Sequence, residues 1–147
     1  MNQLGVTLSL EDEWHGLLSV EVVSRGFSGQ GSAWFSVIPI RGFMHECRVF
    51  PLSEGNPPTL EGGFYSAVHR GMLEHVMVGI RVSQFDIHGR LLVRTTLATD
   101  GGEAPDRMLQ HIVTTRFLTD YAALDTFCRD LGRLLQGGDG QAPLHGT

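Results

Sequence analysis

The chain has 147 residues, a length at which a single domain buries about 68–70% of its unfolded surface. Its hydrophobic fraction of 41% and charged fraction of 18% exclude a disordered, highly charged polymer. The net charge of −5 excludes a general basic field for nucleic acid, and all eleven basic residues are arginines, so lysine Schiff-base, P-loop and kinase-type lysine chemistry are excluded too.

Val6, Leu8 and Leu10 alternate with Thr7 and Ser9, which predicts a half-buried first strand broken by Glu11–Glu13. A second strand is expected from Leu17 to Arg25, with Leu18, Val20 and Val22 on one side. The three glycines between Gly26 and Gly31 predict a loose turn, and the chain returns as a strand over Ser32–Ile38. Gly29-Gln30-Gly31 does not open a helix, so it lacks the context of a phosphate loop. Pro39 suits the first turn of a helix carrying Ile40, Phe43, Met44, Cys47 and Phe50, with Gly42 weakening it and Pro51 ending it. Leu52–Gly63, rich in Pro and Gly, predicts an irregular connection, followed by an ambiguous element near Phe64–His69.

Val76, Val78, Ile80 and Val82 alternate with His75, Met77, Gly79, Arg81 and Ser83, a strong strand signal. A two-residue His88-Gly89 turn would pair Ile87 with Arg90, Phe85 with Leu92, Ser83 with Arg94, Arg81 with Thr96 and Ile80 with Leu97. The apolar sides of both strands then coincide, which a one-residue slip would destroy. Asp100–Arg107 is expected as a loop and His111–Leu118 as another strand. Thr119 or Asp120 caps a helix whose stripe is Tyr121, Leu124, Phe127, Cys128, Leu131, Leu134 and Leu135, ending at Gly137. The strand-then-helix arrangement of Ser32–Phe50 recurs at His111–Gln136. Together these elements predict an α+β fold, a mainly antiparallel sheet with two helices on one face, in a single domain over 1–137 with a flexible tail over 138–147.

No apolar run approaches the ~20 residues of a bilayer span. Met1–Leu10 has neither a basic n-region nor a continuous apolar run, so a cytoplasmic location is expected, with Cys47 and Cys128 as buried thiols. His45-Glu46-Cys47 is the densest group of metal-ligand types, but adjacent residues diverge on a helix, and neither a metal nor a cofactor is expected. Glu11–Glu13 reads as a solvated loop, and no catalytic residue is assigned.

The second face of the predicted hairpin would project Met77, Arg81, Phe85, Leu92 and Arg94, joined by His75 and Ser83. Arginine beside aromatic and aliphatic groups is the composition of a protein interface, and these seven residues form the expected partner-binding face. The alternative is a small-molecule site or small enzyme with a pocket between sheet and helices, recruiting His75, His111 or Asp86.

Ala33-Trp34-Phe35, Ile40-x-x-Phe43, the strand pair about His88-Gly89, and Tyr121-x-x-Leu124-x-x-Phe127 with Leu131 follow one another in an order that resembles small bacterial immunity-type proteins, including those paired with WapI-like contact-dependent toxins. The resemblance runs from Leu17 to Leu135. It implies a cytoplasmic, non-enzymatic inhibitor that binds one cognate toxin, and it carries over no functional residue.

Overall fold

A computed structural model describes residues 1–65, 71–99 and 109–147. These described residues form eight strands and two helices: β1 (Asn2–Leu10), β2 (His15–Ser24), β3 (Phe27–Ser36), α1 (Val37–Cys47), β4 (Thr59–Tyr65), β5 (Leu73–Gln84), β6 (Leu91–Ala98), β7 (Ile112–Thr119), α2 (Tyr121–Leu135) and β8 (Ala142–His145). The α+β class with mainly antiparallel pairing is as expected. There are, however, two antiparallel sheets, ordered β3-β2-β1-β8 and β4-β5-β6-β7.

The two sheets repeat one plan. Three strands run into a helix, and the strand after that helix joins the other sheet beside its first strand: β4 beside β5, and β8 beside β1. The recurrence at Ser32–Phe50 and His111–Gln136 is thus part of a pattern that covers both halves, and the exchanged strands tie the halves into one body.

The inner face of the first sheet follows the alternation in the sequence: Leu4 and Val6 on β1, and Leu18, Val20 and Val22 on β2, are buried. On β3 the inward positions are Gly29, Gly31, Ala33 and Phe35, paired with Val22, Val20, Leu18 and Gly16. The small residues let β3 lie close against the second sheet. A Cβ on Gly29 would come within 2.3 Å of the Val113 side chain. Gly29 and Gly31 therefore belong to a strand and not, as expected, to a turn. The actual turn is Arg25-Gly26, both with positive φ, a two-residue hairpin connection.

Val37 begins α1 where a strand residue was expected. The Ser36 hydroxyl caps the helix by accepting from the Ile38 N–H at 3.4 Å, and Pro39 falls in the first turn. Phe50 lies beyond the helix, exposed, with its ring edge-on to Tyr121 at 4.8 Å. Asp120 caps α2 through the Ala123 N–H at 2.8 Å, and the expected stripe from Leu124 to Leu134 is buried. Cys47 and Cys128 are free, buried thiols that meet where α1 packs on α2. The hydrogen bond with Cys128 and burial both push the Cys47 thiol far up, out of the reactive range.

Two connections differ from expectation. The Pro- and Gly-rich segment after Leu52 enters a strand at Thr59, so Gly62 and Gly63 lie in β4, where Gly62 passes over the Phe35 ring. The segment after Gly138, expected as a flexible tail, carries β8. Ala142 and Leu144 are fully buried there, and the strand pairs with β1 through Leu4↔Leu144. Burying a leucine side chain stabilises by roughly 1.5–3 kcal/mol, which together with the pairing to β1 offsets the entropy of ordering the four-residue strand. The elements expected near Phe64–His69 and over Asp100–Arg107 fall largely outside the described residues.

The core is one cluster in which the inner faces of both sheets and both helix stripes take part. Val78, Ile80, Val82 and Leu97 are buried, but β2 and β3 pack over the β5–β6 pair, while α2 packs on β8, β1 and α1. The second sheet's inner face is thus covered by the first sheet and not by the expected helical roof. Among the described residues, no helix or sheet packs on its outer face. No helix among the described residues is long and apolar enough to cross a membrane.

Candidate functional site

The β5–β6 hairpin sets the site, and its turn sets the hairpin. Asp86 accepts hydrogen bonds from the His88 N–H at 2.8 Å, the Arg90 N–H at 3.2 Å and Arg90 Nε at 2.5 Å, while the Phe85 N–H donates to the Arg90 carbonyl at 2.9 Å. This builds a four-residue turn, Asp86–Gly89, in place of the expected His88-Gly89 pair. Gly89 supplies its positive φ. Burial pushes the Asp86 carboxyl up, but the hydrogen bonds from Arg90 and from the His88 and Arg90 backbones outweigh it and hold the carboxyl below its ordinary value.

The longer turn shifts every cross-strand pair by two residues from the expected register. Arg81 lies opposite Arg94, Ser83 opposite Leu92, and Val78 opposite Leu97. A two-residue shift leaves each side chain on its expected face, so the apolar sides still coincide. It changes which polar groups face each other, and it brings two arginines together.

The third arginine comes from β7. Arg94 pairs with Arg116 on its other side, so Arg81, Arg94 and Arg116 form one straight rung across β5, β6 and β7, continued on β4 by Thr59. All three are exposed, and none makes an ion pair or a hydrogen bond among the described residues. On one side of the row lie Gly79, Thr96 and Thr114, with the two threonine hydroxyls 3.2 Å apart. On the other lie Ser83, Leu92 and Leu118, all half-buried. A shallow depression of about 150 Å³ runs beside the row, lined in part by Glu61, Val76, Arg81 and Arg94. Glu61 sits diagonally from Arg81, one rung along.

Of the seven expected face residues, Arg81, Ser83, Leu92 and Arg94 lie on this surface. Phe85 lies at its turn end, 51% exposed, with the Arg90 guanidinium 5.3 Å from its ring centre. Met77 and His75 do not belong to it. Gly62 pairs with Val78 and Gly63 with Val76, so Met77 is an extra residue in β5, a β-bulge that inverts the alternation towards the N-terminal end of that strand. Met77 is therefore 6% exposed, His75 lies on its side of the strand, and Val76 takes the outward position.

The groups named for a small-molecule site are spread apart. His75 is near the start of β5 and Asp86 lies beyond its end, so some 30 Å of strand separates them. His111 is tied to Thr99, whose hydroxyl accepts its N–H at 2.9 Å. A groove of about 630 Å³ between β3 and the second sheet is lined by Leu17, Trp34, Phe64, Met77 and Ala98 with a few uncharged polar groups, and among the described residues no titratable group lines it. Among the described residues no three His, Cys, Asp or Glu side chains are grouped to hold a metal ion.

Arg116 was invisible from sequence as part of this site. Its strand alternation marks it as outward-facing, but only strand order puts β7 beside β6. The bulge at Met77 leaves no signal in its own strand either; the trace of it is Gly62-Gly63 in the partner strand, read as a connection. No protein-family model, curated protein or solved structure matches this chain.

Proposed function

We propose that the chain is a non-catalytic binding protein of the immunity or accessory type, acting in the cytoplasm and engaging a cognate protein partner through the outer face of the β4–β7 sheet. The observation that carries this reading is the Arg81–Arg94–Arg116 row. Like charges directly opposite each other in a sheet are destabilising, and among the described residues none forms an ion pair or hydrogen bond with these three. A surface that keeps such a row, bordered by Leu92, Leu118 and Phe85, has the mixture of arginine with apolar and aromatic groups that interfaces favour. The separation of His75 from Asp86 supports binding over catalysis. The resemblance to immunity-type proteins gives the partner a class, a toxin.

The test is affinity capture from the native host with the intact chain and with Arg81→Glu/Arg94→Glu. A partner retained by the first and lost by the second, with both proteins equally folded by circular dichroism, supports the reading. A partner retained equally by both overturns this face.

A further inference from the structure

The arginine row constrains what the face can hold, and the inference drawn from it rests on the docking reading above. Neighbouring strands lie about 4.8 Å apart, so one rung carrying Arg81, Arg94 and Arg116 spans about 10 Å across the strands. We infer that the row binds an acidic amphipathic helix lying across β5, β6 and β7, with carboxylates at positions i, i+3 or i+4, and i+7.

Those helix positions share one face and span about 10.5 Å, the length of the row. An extended acidic strand places three same-face carboxylates over about 13–14 Å and overshoots it. One carboxylate then meets each guanidinium, whose planar fork donates two parallel N–H bonds to a carboxylate. The rung on one side offers Leu92 and Leu118 to apolar residues on the flank of the helix, and the rung on the other offers the Thr96 and Thr114 hydroxyls. Glu61 repels a fourth acid at the β4 end, so the acidic run stops at Arg81. Nucleic acid is the poorer fit, because three arginines in a chain of net charge −5 make no extended basic field, and a phosphate backbone offers nothing to the leucine rung.

The test uses two labelled helical peptides of identical composition, one with glutamates at i, i+4 and i+7 beside flanking leucines and one with those positions permuted. A single-stranded oligonucleotide of matching charge is the third probe. Each is titrated by fluorescence anisotropy into the intact protein and into Arg94→Glu and Arg94→Gln. The patterned peptide is expected to bind at least about tenfold tighter than the permuted one, to lose about tenfold or more with Arg94→Glu, and to weaken as salt rises. Equal binding of the two peptides, or binding indifferent to both Arg94 variants, overturns the inference. Tighter binding of the oligonucleotide overturns it in favour of nucleic acid. If the patterned peptide fails while host capture still depends on Arg81 and Arg94, the acidic helix is wrong and the docking face stands; if capture loses that dependence as well, both fall.

Discussion

A Cβ placed on Gly31 would lie 2.7 Å from the Met77 carbonyl oxygen, so the first sheet touches the backbone of the second where β3 has no side chain. The obstacle is main chain and cannot rotate away. Gly31→Val should therefore push the sheets apart and cost about 1–3 kcal/mol, the usual range for overpacking. Urea unfolding checks it: an unchanged midpoint would mean that the sheets do not approach this closely.

Gly42 is the opposite case. It sits in the interior of α1, exposed, with nothing within 4 Å of an added Cβ. Gly42→Ala is expected to raise stability by about 0.5–1 kcal/mol through helix propensity and reduced freedom of the unfolded chain. The same urea midpoint should move upward.

The last strand is expected to behave as core. Leu144→Ala removes a fully buried side chain opposite Leu4 and should cost about 2–5 kcal/mol. A variant indistinguishable from the parent in thermal melting would return this segment to the flexible tail that its composition suggested.

Three carboxyls give a stability dependence on acid. Asp12 is held below its ordinary value first by the Trp14 N–H, Asp125 first by the Arg129 guanidinium, and Asp86 by the Arg90 and His88 hydrogen bonds that outweigh its desolvation. A carboxyl lowered in the folded chain favours folding fully above its unfolded value, near 3.8, and that contribution is lost as the pH falls through the lower folded value. Melting temperature should thus decline more steeply below about pH 4 in the parent than in Asp12→Asn/Asp86→Asn/Asp125→Asn. Parallel curves would contradict it.

Much of this architecture is written in local patterns. The alternation in β2, β5 and β6, the Asp120 cap and the stripe from Leu124 to Leu134 all appear in the sequence because each depends on neighbours within a few residues. The remainder depends on distant chain. Gly29 and Gly31 resemble a turn unless the second sheet is known to press against them, and β8 resembles a tail unless β1 offers it an edge. For the site, Arg81 and Arg94 were legible as outward residues. Their direct opposition needed the Asp86 turn, and Arg116 needed the strand order. Met77 was misplaced because a bulge changes the alternation without changing composition.

Arg94, with a like charge on either side, is where the cost of the row and its proposed use can be separated. Arg94→Glu replaces two like-charge cross-strand pairs with two opposite-charge ones and should raise stability by about 0.4–2 kcal/mol, given about 0.2–1 kcal/mol per pair. The most direct measurement is the melting temperature of Arg94→Glu taken together with its capture of the host partner. A higher melting temperature with capture lost is the predicted result; an unchanged or lower melting temperature with capture retained would contradict it.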